Sequence, residues 1–292
     1  MTDPVKEIAN GVTRLIAPNP SPMTYWGTNT YILNDGQTAV IDPGPDDKSH
    51  MERILSATNG QIDIILVTHS HLDHSPLAKP LSELTAAPVL AFGHSKAGQS
   101  PLMAALEATG DLQGGEGLDM EFTPDRILYD GEAVAFGEND ITAIHTPGHL
   151  SNHMCFKWQD QLFSGDHVMD WATSMVSPPD GDLGDFMKSC EKLLDHKALQ
   201  YHPGHGDPVQ NPKKRVQALI QHRKSRETQI LSALGKSPKS ATILAAEIYT
   251  DINPALLGAA ARNVFAHLID LHSKGVAETT ENLNFLAHFT AP

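Results

Sequence analysis

Three imidazoles and a carboxylate stand within six residues at His69, His71, Asp73 and His74, directly after the apolar run 62–67. Imidazole and carboxylate donors suit Zn(II) and its first-row neighbours, whereas Mg(II) and Ca(II) take oxygen donors. Two histidines at i and i+2 can share one ion. Asp73 and His74 point elsewhere from so tight a turn, so a second ion nearby is the natural reading. Taken alone, the segment has a bland alternative in a His-rich surface loop that picks up metal adventitiously.

Three downstream segments argue against that alternative. His145-Thr146-Pro147-Gly148-His149 follows the strand-like run 141–144, Gly165-Asp166-His167 follows another apolar stretch, and His202-Pro203-Gly204-His205-Gly206 sits past a helical segment. Each sets a ligand-type side chain beside a glycine, which permits positive φ and close backbone approach and so lets the neighbouring side chain be aimed inward.

In this order the segments resemble the signature of the metallo-β-lactamase superfamily. The resemblance implies a binuclear site. One ion would take His69, His71 and His149, the other Asp73, His74 and His205, with Asp166 bridging. Asp42, in Ile41-Asp42-Pro43-Gly44, matches a buried aspartate of the family that braces the ligand loop by hydrogen bonds. The expected cofactor is two Zn(II), with Mn or Fe as alternatives. Segments 19–23, 27–31, 221–223 and 226–231 are similar to the β-lactamase-like protein 2 subfamily, whose members include a single-stranded RNA endonuclease and fungal polyketide thioesterases. Tyr25-Trp26 stands where that subfamily usually has Leu-Gln.

The resemblance implies a metal-dependent hydrolase in which a metal-bridging hydroxide attacks a carbonyl or phosphorus centre, with Asp73 orienting it. Three classes of function are weighed against one another. A small acyl compound (thioester, lactone or β-lactam) fits the acidic body and Trp26 and Trp171 as apolar walls. Single-stranded RNA fits the subfamily and the basic residues Lys213, Lys214, Arg215, Arg223, Lys224 and Arg226, which on one helix are otherwise an ordinary solvated face. A mononuclear iron persulfide dioxygenase is the third; di-iron flavoproteins are disfavoured by His71, where they usually carry Glu. His153 is a catalytic candidate as proton donor, or a brace for a ligand. His167 is expected to pack below the site, while His94 and His202 have proximity alone. Asp170, Trp171 and residues 174–184 are expected to line the pocket.

To position these ligands, strand-like runs such as 31–33 and 39–41 alternate with helical ones such as 50–57 through residue 205, the pattern of paired sheets flanked by helices. The expected fold is α/β, an αββα sandwich over residues 1–210, followed by a small helical, winged-helix-like module over 211–292. In the latter, helices are expected at 212–234, 242–249 and 254–274, then a short ribbon from 275–278 and 284–286. Residues 93–121 are rich in glycine and small residues, and 110–115 reads as mobile, a lid or a surface insertion.

With 292 residues and 40% hydrophobic content, the chain is long enough for a substantial core. The net charge of −14 is uneven: residues 211–292 hold ten Lys and Arg against six Asp and Glu, and the acidic remainder repels nucleic acid. Two cysteines, Cys155 and Cys190, fall outside the ligand positions and read as buried free thiols, with a disulfide left open. No apolar run reaches the ~18 residues of a membrane span, and residues 1–4 lack the start of a secretion signal, so a cytoplasmic location and no membrane partner are expected. The oligomeric state is open.

Overall fold

The computed structural model describes residues 5–292 except 111, 113, 252, 254 and 255. The start of the third C-terminal helix expected at Pro254, part of the 110–115 segment and the 1–4 start therefore lie outside the described residues. Seven strands form one sheet in sequential order: β1 (Val5–Ala9), β2 (Val12–Ile16), β3 (Asn29–Asn34), β4 (Thr38–Ile41), β5 (Ile64–Leu66), β6 (Val89–Ala91) and β7 (Arg126–Ile127). The first four pair antiparallel and the rest parallel. The second sheet has the order β12-β11-β10-β9-β8, from β8 (Ala133–Val134), β9 (Ile141–His145), β10 (Met154–Trp158), β11 (Gln161–Gly165) and β12 (Gln200–Pro203).

Side chains alternate between two apolar layers, as a strand buried on both faces requires. Tyr31, Leu33, Ile41 and Leu66 of the first sheet meet Ile141, Phe156, Trp158 and Phe163 of the second. Ile32, Val40 and Ile65 point the other way, onto α1 (Lys48–Ala57) and α2 (Ala78–Thr85) through Ile54 and Leu81. On the outer face of the second sheet, Ile144, Cys155 and Leu162 pack against Phe186 and Cys190 of α4 (Leu183–Leu193). Both cysteines are buried and free. Asp47 caps α1, its carboxylate accepting from His50 N–H at 2.7 Å.

β5 is shorter than the apolar run 62–67 that contains it, and the cause is local. Val67 N–H still donates to Leu90 O at 3.1 Å, but Thr68 N–H leaves the ladder for the Asp42 carboxylate at 2.7 Å. The ladder ends where the ligand loop begins.

The C-terminal module contains α5 (Pro212–Leu234), α6 (Ala241–Ile248) and α7 (Leu257–Ser273). Proline at the first turn of α5 and Gly235 at φ 51° after its end bound that helix as its sequence suggests. Val216 and Leu219 of α5 pack on the body, whereas Ile230 and Leu234 join α6, α7 and Met103 and Leu106 of α3 (Pro101–Ala108) in a separate core. The ribbon differs from expectation: β13 (Lys239–Ser240) pairs with β14 (His288–Phe289), and Glu278 bridges Thr290. Burial selects that register, because Phe289 is fully buried while Leu286, in the expected strand, is 75% exposed.

Candidate metal centre

The loops after β4, β5, β9, β11 and β12 carry Asp42, the 69–74 segment, His149, Asp166 and His205. Two donor groups result: His69, His71, His149 and Asp166, and beside them Asp73, His74 and His205. Within each group the donor atoms lie within 4.8 Å of one another.

Four of the five imidazoles are fixed through their outer nitrogens. His149 Nδ1 lies 2.7 Å from Met175 O, and His74 Nδ1 lies 2.9 Å from Asp42 Oδ2. Thr68 Oγ1 donates to Asp42 Oδ2 at 2.7 Å, so its oxygen is free to accept from His69 Nδ1 at 2.9 Å. His205 Nδ1 lies 3.4 Å from Gly27 O. A ring nitrogen that faces a carbonyl or carboxylate carries the proton, which leaves the other as a lone pair. In the first group the inner atoms therefore converge as acceptors: His69 Nε2 and His149 Nε2 lie 2.9 and 3.1 Å from His71 Nδ1. In the second group His74 Nε2 lies 3.4 Å from both His205 Nε2 and Asp73 Oδ2, and His205 Nε2 lies 3.2 Å from Asp73 Oδ2. Asp166 stands between, its Oδ1 at 3.5 Å from His74 Nε2 without a hydrogen bond, and its Oδ2 at 3.3 Å from His205 Nε2 and 3.7 Å from His149 Nε2.

These spacings fit metal ions. Nitrogen donors about 2.0–2.1 Å from one tetrahedral ion are separated from each other by roughly 3.3 Å. Converging buried lone pairs are unfavourable unless a proton or cation lies among them. Gly204 keeps the approach open: a Cβ there would come 2.3 Å from Asp166 Oδ1 and 2.6 Å from His74 Cε1.

Electrostatically the cluster divides. Burial, aided by neighbouring imidazoles, holds His69 well below the usual histidine pKa, takes His71 down to about 3 and lowers His149. Burial also opposes charge on His74, yet Asp73, Asp166 and Asp42 outweigh it and hold this imidazole well above its usual value. His205 rises to about 9, with Asp166 and Asp73 overcoming burial. The two carboxylates are correspondingly lowered, the imidazoliums outweighing the cost of burying them.

Asp42 takes the bracing position that the resemblance implied. It binds Thr68 N–H, Thr68 Oγ1 and His74 at once, from a left-handed backbone (φ 50°) rarely used by a non-glycine residue. His153, the other catalytic candidate, is fully buried and does not reach the cavity; its Nδ1 lies 2.9 Å from Thr146 Oγ1, and its ring packs 5.1 Å from that of His69. His167 lies deeper, against Phe186 and Cys190. His202 turns away to Gln161, and His94 is exposed.

Beside the donors is a cavity of about 590 Å³, lined in part by Met23, Leu72, Leu150 and Met175. Residues 174–184 contribute Met175, Ser177 and Asp180, as expected, but Asp170, Trp26 and Trp171 do not line it. Tyr25 instead stacks on Trp171 and packs at a tilt against Trp26, and Trp171 Nε1 donates to His205 O at 3.2 Å. The aromatic group thus braces the His205 loop from outside. The 93–121 segment is a wall of the cavity: it supplies Glu116 and Gly117, accepts from Leu72 N–H at Gly117 O and donates from Asp119 N–H to Ser70 O.

The basic helix is less free than its sequence suggests. Arg215 donates to Met169 O and Ala172 O, Arg223 is buried and donates to Ser174 O and Asn263 Oδ1, and Arg226 covers the Tyr249 ring at 3.9 Å. Lys213, Lys214 and Lys224 are left exposed. The arginines hold the 169–175 loop, which in turn holds His149, a role that charge counting missed. Among the described residues no helix is long and apolar enough to cross a membrane.

The metallo-beta-lactamase superfamily model matches residues 23–205, and a beta-lactamase-associated winged helix domain matches residues 240–282. The chain belongs to the metallo-β-lactamase superfamily and is an enzyme of that class. It is 32% identical over 285 residues to a beta-lactamase-like protein 2 homolog of Drosophila melanogaster, covering 93% of this chain and 91% of the relative. An atrochrysone carboxyl ACP thioesterase of Claviceps purpurea is 30% identical over 84% of this chain and 74% of its own length. The fold extends over the whole chain in a beta-lactamase domain protein from Burkholderia ambifaria, with TM-score 0.79, 23% identity and coverage of 99% of this chain and 93% of that one.

Proposed function

We propose that the protein is a binuclear zinc-dependent hydrolase of small acyl substrates, with a thioester as the first candidate. The observation that carries this reading is the convergence of seven donor side chains beside a half-open cavity with largely apolar walls. His69, His71 and His149 would hold one ion, Asp73, His74 and His205 the second, and Asp166 would be shared between them. Bound there, divalent cations would acidify water and polarise a substrate carbonyl.

The chain's own residues do the rest. Asp42, Thr68 and Met175 O set the imidazole tautomers. Asp73 reaches both the donor group and the cavity, where it can orient the attacking water. His153 braces the floor beneath His69 and Thr146. Leu72, Leu150, Met23 and Met175 give a substrate apolar surface beside the donors.

The thioester preference draws on the Claviceps relative, whose name is that of a thioesterase, and on a cavity sized for a small molecule. A working division places the catalytic unit in residues 1–210 and the helical module in 211–292. The test is hydrolysis of acyl N-acetylcysteamine thioesters by protein loaded with zinc and assayed for metal content. Turnover by the parent and its loss in His69→Ala is expected. Protein holding two equivalents of zinc that cleaves no thioester, lactone or β-lactam would sink the reading.

A further inference from the structure

The helical module supplies none of the seven donor side chains, yet it reaches the same cavity. α7 contributes Ala259 and Arg262 to the lining, and among the described residues Arg262 is the one Lys or Arg side chain there. Four described carboxylates share the lining with it, and their roles differ. Asp73 and Asp166 belong to the donor cluster. Asp180 is already satisfied, with Lys96 Nζ at 3.2 Å and Gly115 N–H at 2.7 Å. Glu116 is the partner left for Arg262, with Oε2 at 3.2 Å from the guanidinium.

That pair is built to exchange. The Glu116 side chain is 83% exposed, and among the described residues Arg262 has one further polar contact, a 3.4 Å donation to Ser177 Oγ. A guanidinium has five N–H donors in a planar fork that matches a carboxylate or phosphate, so most of its capacity is unused here. Its backbone, by contrast, is fixed: Ala261, Val264 and Phe265 are buried in the module's core, and Asn263 is bonded to Arg223. A rigidly mounted cation with a weak, solvent-exposed carboxylate in its fork is the arrangement of an anion subsite whose resting occupant is cheap to displace.

We propose that Arg262 is a specificity residue that binds an anionic group of the substrate, a carboxylate or a phosphate, in place of Glu116. This rests on the small-molecule hydrolase reading and adds to it the charge of the substrate and the reason the helical module is part of the enzyme. For a thioester, the anion has two sources. It can be a carboxylate on the acyl group or a phosphate on the thiol carrier.

Four thioesters separate these sources: succinyl against butyryl N-acetylcysteamine for the carboxylate, and butyryl pantetheine phosphate against butyryl pantetheine for the phosphate. The zinc-loaded parent is expected to prefer one anionic member over its neutral counterpart by about tenfold or more in kcat/KM. Arg262→Gln should collapse that ratio to near one, chiefly through KM, and Glu116→Gln should lower KM for the anionic member about two- to fivefold by removing the competitor. A preference that survives in Arg262→Gln, or no preference in either pair, overturns the proposal.

Should none of the four be cleaved, the thioester reading fails by itself, and equilibrium binding decides the proposal separately. Titration of succinate and of pantetheine phosphate into parent and Arg262→Gln is expected to show binding of one of them that weakens about tenfold in the variant. No Arg262-dependent binding of either overturns it.

Discussion

The donor cluster and the α7 wall share one cavity and are built on opposite terms. In the cluster, His69, His74 and His205 are almost fully buried, and each imidazole is held from behind by a carbonyl, a hydroxyl or the Asp42 carboxylate. On the wall, Arg262 is about one-third exposed and its partner Glu116 is a surface carboxylate. Chemistry is carried by side chains that cannot relax. Recognition is carried by a side chain that can trade partners at little cost, because exposed ion pairs are worth about 0–1 kcal/mol.

One added methyl group probes both regions directly. Gly204→Ala would drive a Cβ into Asp166 and His74, whereas Gly258→Ala, in α7 beside Ala259, meets nothing within 4 Å. Gly204→Ala is expected to lower kcat/KM on the order of 100-fold or more, about 3 kcal/mol. Gly258→Ala should leave kcat/KM within about twofold and stabilise the helix by up to ~1 kcal/mol. Similar activities for the two variants, measured on equally zinc-loaded protein, would erase the distinction between a rigid and a tolerant side.

A smaller effect sharpens the bracing role. Asp42→Asn keeps the shape but weakens what His74 Nδ1 and Thr68 share. Competition with a chelator should show zinc affinity reduced about 10- to 100-fold. An unchanged affinity would mean that the loop holds its geometry without the carboxylate.

The smallest effect concerns stability and leaves the site untouched. His267 of α7 is buried with neither ring nitrogen hydrogen-bonded among the described residues, and burial, then Arg223 and Arg226, push its pKa down to about 3. Its unfolded value is near 6.5, so below that pH the unfolded chain binds a proton that the folded chain refuses. Stability is therefore lost as pH falls from about 6.5 toward 3, at up to about 1.4 kcal/mol per pH unit for this one proton. Denaturant titrations between pH 7 and 5 should give a shallower decline for His267→Leu than for the parent. Equal slopes would assign the acid sensitivity to other groups, His202 among them, which burial also holds at about 3.

Much of this molecule is legible in local sequence. Ligand-type residues beside glycines, the bounds of α5 at Pro212 and Gly235, and the alternation of strand and helix are short-range signals, and Asp42 declared itself by its motif. The misreadings share a cause. Trp26 and Trp171 look like pocket walls in sequence, but aromatic stacking with Tyr25 turns them to the outside of the His205 loop. Arg215 and Arg223 look like a phosphate-binding face until their donors are found on backbone carbonyls of residues 169–174. Arg262 carried no sequence signal at all, since one arginine on an amphipathic helix is ordinary.

What the sequence by itself determined is the chemistry available: donor types, their order along the chain, and the two-part organisation, because these depend on residue identity and on spacings of a few positions. Tertiary structure decided which nitrogens face inward, where the β5 ladder stops, which basic residues are occupied, and that a helix nearly 200 residues after His69 lends its arginine to the same cavity. Those outcomes depend on hydrogen bonds and packing between segments far apart in the chain, and no local spacing encodes them.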